Sequence, residues 1–279
     1  QDFLFSLLIT QDAHYAAGPP GTILRSTDNG QRWQTLLSIK DASKGYFHHI
    51  ISDSSDTLVA IASPGNSLFS VDKGENWQPI SIASDQPLSN GIYDPSHREF
   101  FIVGNGGGIF GSSDGRRWQQ LPSNTTANLQ NITAIDKYLY ASGSQGTILR
   151  SENGGEDWQL TTSNTKEAIQ NIVAAGDIVV ATGLHGTMLR SSDRGVRWQT
   201  VPVSESENLR APVIDEDTGI MYASGRSGRI LFSRDLGMTW NKMPEFTQAS
   251  IKGLYIDKQR HMLMGYGERL IRVPLLNKE

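Results

Sequence analysis

An all-β repeat fold is what this sequence predicts, and three observations carry the prediction. All six Trp residues of the 279-residue chain close copies of one box, Ser-x-Asp-x-Gly-x-x-Trp. From Trp33 through Trp77, Trp118, Trp158 and Trp198 to Trp240 the steps are 44, 41, 40, 40 and 42 residues, a period that marks a solenoid, propeller or array. Between the boxes run short apolar stretches punctuated by turn residues, with no segment of helical period. Seven such units of three or four strands fit a seven-bladed β-propeller, its last blade incomplete in sequence.

The box itself reads as a turn. Its copies place Ser26, Asp28, Gly30 and Trp33; Ser70, Asp72, Gly74 and Trp77; Ser112, Asp114, Gly115 and Trp118; Ser151, Asn153, Gly155 and Trp158; Ser191, Asp193, Gly195 and Trp198; and Ser233, Asp235, Gly237 and Trp240. An Asp two residues after a Ser forms an Asx-turn, and Gly supplies the positive φ of a tight reversal. The Trp then buries its ring between neighbouring units while the indole N–H finds a carbonyl. Asn153 keeps the acceptor without the charge, and the third copy is one residue short. A turn-former survives such drift, whereas a catalytic acid or metal ligand does not.

The units follow in order, covering approximately 3–38, 46–82, 89–122, 129–161, 169–202, 209–243 and 251–276, within one expected domain of 1–279. In the first, 4–10, 14–17, 22–25 and 33–37 are strand-like, with a turn at 18–21. In the second, 47–52, 57–62 and 67–70 repeat the pattern around a turn at 63–66. The third carries 100–103 and then the glycine run 104–108. That run has no following helix and no Lys-Ser/Thr, so it reads as a flexible turn rather than a phosphate cradle. Units four and five are the most alike, 129–136 and 138–143 against 169–176 and 178–183. Unit six has 209–214, 221–225 and 229–232. Unit seven has strands near 251, 262–265 and 269–273, and then no box. Only three residues precede the first strand, so completion of the last blade by the N-terminus is an open question.

The boxes resemble the Asp-box, or bacterial neuraminidase repeat, of β-propellers. The fuller unit Gly-Thr-Ile-Leu-Arg-Ser-x-(Asp/Asn)-x-Gly-x-x-Trp, at 21–33 and 146–158 with 186–198 close behind, is similar to the photosystem II stability/assembly factor family and its relatives in non-photosynthetic bacteria. That resemblance covers nearly the whole chain. It implies a non-enzymatic platform that holds a membrane-protein subunit or an envelope complex. The start at Gln1-Asp2 is explained by a processed or shortened chain, and with the resemblance it points to an exported protein, periplasmic or on the lumenal side of a membrane.

Composition narrows the classes. The longest apolar run, 3–9, is far below the roughly 20 residues of a membrane span. A net charge of −4 with pI near 5.9 argues against a nucleic-acid partner. With no Cys there is no thiol nucleophile, disulfide framework or Cys-ligated metal. No His-Glu-x-x-His or comparable spacing exists, so neither metal nor cofactor is expected. A monomer is expected.

Functional residues belong on the loops that lead into the first strand of each blade and that join its second and third strands. The binding candidates are Tyr46, His48, His185, Arg210, Arg226, Lys252 and Tyr266, with no catalytic residue among them. The same rim holds His49, Asn90, Asn105, Asn131, Gln145 and Asn171. Of His48 and His49 only one can face inward. Arg25, Arg150 and Arg190 recur just before boxes and suggest stacking or blade-to-blade ion pairs. Arg210, Arg226 and Arg229 cluster without period, which favours binding.

The competing reading is a sialidase-like glycoside hydrolase or a glycan-binding propeller. Sialidases share the boxes but need an arginine triad, a Tyr–Glu nucleophile pair and an Asp acid/base. Their Arg-Ile-Pro element is missing, and Arg210-Ala211-Pro212 only echoes it in the wrong blade. Asp215, Glu216 and Asp217 fall in an expected turn between first and second strands, away from the candidate face.

Overall fold

The structure, a computed structural model, describes residues 5–18, 21–39, 46–62, 65–204, 206, 208–258, 260–268 and 270–277. Expectations resting on 1–4, 19–20, 63–64 and 269 lie outside the described residues. The fold is a seven-bladed all-β propeller, each blade one antiparallel meander. Blade 1 is β1 (Ser6–Ile9), β2 (His14–Gly18), β3 (Thr22–Ser26) and β4 (Gln34–Ser38); blade 2 is β5 (His49–Ser52), β6 (Leu58–Ile61), β7 (Leu68–Ser70) and β8 (Gln78–Pro79). Blade 3 is β9 (Leu88–Asp94), β10 (Glu99–Gly104), β11 (Ile109–Ser112) and β12 (Gln119–Leu121); blade 4 is β13 (Leu129–Ile135), β14 (Tyr138–Gly143), β15 (Ile148–Ser151) and β16 (Gln159–Leu160). Blade 5 is β17 (Ile169–Ala175), β18 (Ile178–Gly183), β19 (Met188–Ser191) and β20 (Gln199–Thr200); blade 6 is β21 (Leu209–Ile214), β22 (Met221–Gly225), β23 (Ile230–Ser233) and β24 (Asn241–Lys242). Among the described residues blade 7 comprises β25 (Ile251–Asp257), β26 (Met262–Gly267) and β27 (Ile271–Pro274). The first strand, β1, is an edge strand of blade 1 and pairs with β2.

Two compact units make up the chain, an N-terminal one of 2–141 with 151–159 and a C-terminal one of 142–150 with 160–279. In each, apolar clusters form between consecutive blades. Val59, Ile61, Phe100 and Ile102 join blades 2 and 3 in the N-terminal unit, and Tyr222, Ile230, Leu254 and Leu263 join blades 6 and 7 in the C-terminal unit. Second strands are covered on both sides, which is why 58–61 and 221–225 read as runs of buried residues rather than alternating ones. Most fourth strands are two or three exposed residues, too short to template aggregation.

The box turns explain their own sequence. In blade 5 the Ser191 hydroxyl donates to Asp193 Oδ1 at 2.8 Å and accepts from Gly195 N–H at 2.8 Å, while Asp193 Oδ1 accepts from Arg197 N–H at 2.9 Å. Asn153 makes the same bonds to Ser151 and Asp157, so the charge is dispensable. Positive φ is needed at two successive residues, not one. Asn29, Lys73, Gly154, Arg194 and Leu236 hold it just before Gly30, Gly74, Gly155, Gly195 and Gly237, and the short third box keeps only Gly115. The box Gly is fixed by space as well. A Cβ on Gly155 would stand 2.8 Å from Phe101 Cε1, and one on Gly237 2.7 Å from Val180 Cγ2, both in the preceding blade.

Two expectations are corrected here. The Trp N–H groups do not share one kind of partner. Those of Trp118 and Trp240 donate to the carbonyls of their own Gly115 and Gly237, that of Trp198 donates to the Thr161 hydroxyl at 3.0 Å, and those of Trp77 and Trp158 are buried without a partner. The recurring Arg residues form backbone clasps. Arg25, Arg150 and Arg190 donate to the carbonyls of Lys73, Arg194 and Leu236, the first left-handed residue of the next box. Arg25 adds an ion pair to the next blade, with Glu75 at 2.7 Å. The left-handed turn aims that carbonyl back at the neighbouring blade, which is why the Arg repeats.

Candidate binding face

Blades 3 to 7 begin their first strand with a buried anchor followed by a polar residue. The anchors Leu129, Ile169, Leu209 and Ile251 are essentially inaccessible. The ladder slips just after the anchor. Asn90 and Leu88 pair on successive partners and skip Ser89, Asn171 and Ile169 skip Gln170, and Gly253 and Ile251 skip Lys252. These are β-bulges, which free a residue from the ladder and re-aim it. In blade 6 the bulge moves to Ala211-Pro212, because Pro212 offers no N–H, and Ala211 takes a φ of 45°. Arg210 therefore stays paired opposite Ser224, whose hydroxyl donates to the Arg210 carbonyl at 3.2 Å. The equivalent hydroxyls of Ser142 and Thr182 in blades 4 and 5 are buried without a partner.

This geometry gathers Arg210, Arg226 and Lys252 in the C-terminal unit. Arg210 is half-buried and its Nε donates to Gln170 Oε1 of blade 5 at 2.9 Å, a neutral brace that leaves the charge uncompensated by that bond. Burial lowers its pKa, and the nearby Arg226 guanidinium lowers it further. Lys252 is pushed down by burial first and by Arg210 second. Arg226 opens the exposed turn Arg226–Gly228 between β22 and β23. Arg210 is thus the cation that both Arg226 and Lys252 repel.

His185 lies in the corresponding turn of blade 5. Its Nδ1 lies 2.7 Å from Glu167 Oε2 and its backbone N–H donates to Asn208 Oδ1 at 3.2 Å, so the ring is pinned although exposed. Tyr266 faces Gly253 across blade 7, where a Cβ would sit 2.0 Å from the ring, and burial pushes its hydroxyl up to about 12. Tyr46 and His48 belong to the N-terminal unit, flanking Phe5 with ring centroids at 6.2 and 6.3 Å. Of the two adjacent histidines, His49 is the one locked inward. Its Nδ1 lies 3.4 Å from Ser6 Oγ, and crowding by protein atoms pushes its pKa down to about 4. The sequence reading missed Gln170, whose role as a brace shows only once first strands are aligned on their bulges. It missed Phe246 as well, an exposed ring at 46% on the loop into blade 7.

The carboxylates expected in a turn are there. Asp215 is buried, accepting from the Thr218 hydroxyl at 2.6 Å, and Glu216 pairs with Lys258 at 2.7 Å. The glycine run at 104–108 is a hydrogen-bonded turn, Gly104 N–H donating to the Gly108 carbonyl at 2.9 Å. Among the described residues no group of three or more His, Asp or Glu is arranged to hold a metal, and no helix is long and apolar enough to cross a membrane.

Comparison with known proteins agrees with this architecture. A family model described as photosynthesis system II assembly factor YCF48 matches residues 8–176. Among solved structures, a YCF48 bound to a D1 peptide is similar at 17% identity and a TM-score of 0.79, covering 99% of this chain and 94% of that one. YCF48 from Cyanidioschyzon merolae is similar at 17% identity and TM-score 0.77, covering 98% and 96%. The GH74 xyloglucanase from Xanthomonas campestris is similar at 15% identity and TM-score 0.78, covering 96% of this chain but 51% of the enzyme. At these identities the likeness is one of fold. No curated protein matches the chain.

Proposed function

The chain belongs to the YCF48 photosynthesis system II assembly factor family, and from that premise we propose that it is a non-enzymatic platform binding an acidic, extended segment of a membrane-protein client. The observation that carries the proposal is the cation patch of Arg210, Arg226 and Lys252, with Lys252 at the bulge of its first strand and Arg210 braced by a neutral Gln170. Rigid placement lets such a patch bind without first ordering its side chains. A YCF48 solved with a D1 peptide supports a peptide as the kind of client. The exported, lumenal or periplasmic location and the monomeric state belong to the same proposal.

The test is affinity capture from the native membrane fraction with wild type and an Arg210→Glu/Arg226→Glu variant. A membrane subunit retained by wild type and lost by the variant, at unchanged melting temperature, is the expected result. Equal retention would move the site elsewhere. No retained protein, together with turnover of a fluorogenic sialoside, would replace the platform by a glycosidase.

A further inference from the structure

His185 and Glu167 break the repeat at two positions that meet. The turn after the second strand keeps its backbone from blade to blade, and Gly106, Gln145 and Ser227 hold φ of 65°, 58° and 56° where His185 holds 50°. Gly106 N–H donates to Asn128 Oδ1 at 3.0 Å as His185 N–H does to Asn208 Oδ1 at 3.2 Å. Glu167 stands in the place of Ala127 and Ala249, each of the three donating its N–H at 3.1 Å to the hydroxyl of a Thr two residues back. Among these copies only blade 5 puts an imidazole and a carboxylate on the shared backbone. There His185 Nδ1 lies 2.7 Å from Glu167 Oε2, and both side chains reach solvent.

Two short routes tie this pair to Arg210. Asn208, which holds the His185 N–H, is two residues before Arg210. Glu167 is three residues before Gln170, whose Oε1 accepts from Arg210 Nε at 2.9 Å. Asn208 also borders Gly225, the residue before Arg226, where a Cβ would stand 3.7 Å from the Asn208 carbonyl oxygen. All of these residues belong to the C-terminal unit, so the pair sits on the rim of the cation patch. The other histidine of that unit, His261, lies in the turn between β25 and β26, at the opposite end of a second strand, its carbonyl accepting from Leu275 N–H.

We propose that the His185–Glu167 pair is a proton-operated switch on the cation patch, tightening its hold on an anionic client as the imidazole gains a proton. The proposal rests on the patch being the binding site. With a neutral ring the pair carries the negative charge of Glu167 beside Arg210 and opposes an anionic client. With a proton on the ring the pair is neutral and that opposition is removed. Affinity is therefore highest on the acid side and falls as pH rises through the titration of His185. Around His185 the charged residues are Glu167 and Lys166 on the connector into β17, Arg210 beyond Asn208, and Arg226 in the turn of the next blade. Between pH 8 and 6 an imidazole titrates and a carboxylate in general does not. The other acids of these connectors, Glu205 and Glu207 in sequence, thus act equally at both ends.

The probe is a rhodamine-labelled Gly-Ser peptide bearing three sulfotyrosines, whose charge is the same at pH 8 and pH 6, titrated by anisotropy into the full chain at low ionic strength. One charge removed about a Debye length from a trianion changes its affinity about threefold, so binding about threefold tighter at pH 6 is expected. His185→Gln, the residue blade 4 carries there as Gln145, should bind equally at both pH values. Glu167→Gln should bind more tightly than wild type at pH 8. Linkage requires saturating probe to raise the midpoint of the His185 ring titration, read by NMR, by about half a pH unit, the logarithm of that ratio. Failure of wild type to bind the probe, or retention by Arg210→Glu/Arg226→Glu, would overturn the patch and the switch with it. Binding that this variant abolishes, yet that stays level from pH 8 to 6 or strengthens as much in His185→Gln, would leave the patch standing and overturn the switch alone.

Discussion

At the box turns six copies of one sequence make nearly the same bonds, whereas at the start of the first strands equivalent positions hold Ser89, Gln130, Gln170, Arg210 and Lys252. The two regions share a backbone repeat and use it in opposite ways. Drift at the box is limited to what the turn tolerates, Asn153 for Asp and a dropped residue before Gly115. At the start of the first strands the backbone repeat is kept while the side chain changes from neutral in blades 3 to 5 to cationic in blades 6 and 7. Where a repeat is kept, the residues hold the fold; where one is broken on an intact backbone, they are free to bind.

The largest effect that would break this contrast is Trp198→Ala. Its ring is 3% exposed and its N–H is bonded to Thr161, so removal costs roughly 3–5 kcal/mol, about a 10 °C drop at 2–4 °C per kcal/mol. Calorimetry reads this, and an unshifted transition would remove the box from the list of clasps. Next comes acid sensitivity of the N-terminal unit. His49 stays neutral in the fold down to about 4, against 6.5 for the free side chain. Stability from keeping it neutral is complete above 6.5 and falls away as pH drops toward 4, where the unfolded chain gains the proton first. His49→Asn should flatten that acid limb in urea titrations from pH 7 to 4, and an unchanged limb would assign it to other groups. Smallest is Leu236→Gly. Leu236 holds a φ of 54°, a strain of about 1–2 kcal/mol partly offset by the freer unfolded chain. A gain of about 0.5 kcal/mol is expected by urea midpoint, and a loss would mean that the exposed leucine side chain contributes more than its backbone strain takes away.

Much of this was legible in the residues. Strands 138–143, 178–183 and 221–225 fall where the apolar runs predict them, because second strands buried on both faces leave unbroken runs and the period fixes their phase. The second left-handed residue of the box was not legible, since Asn29, Lys73, Arg194 and Leu236 share no side-chain chemistry. Nor was the carbonyl clasp by Arg25, Arg150 and Arg190, whose acceptor is backbone and leaves no mark in the sequence. The cluster of Arg210 and Arg226 was visible as a break in period. Its brace by Gln170 from the neighbouring blade needed the register, and the displacement of the bulge by Pro212 needed the backbone.

Restoring the repeat at the rim separates the two roles in one variant. Arg210→Gln/Lys252→Gln gives both blades the residue that Gln130 and Gln170 already supply, and melting temperature and client capture are measured on the same preparation. A melting temperature equal to or above wild type, with capture lost, is the predicted result, because two half-buried cations pushed off their normal pKa are removed. A lowered melting temperature with capture retained would show that these cations serve the fold and that the client binds elsewhere.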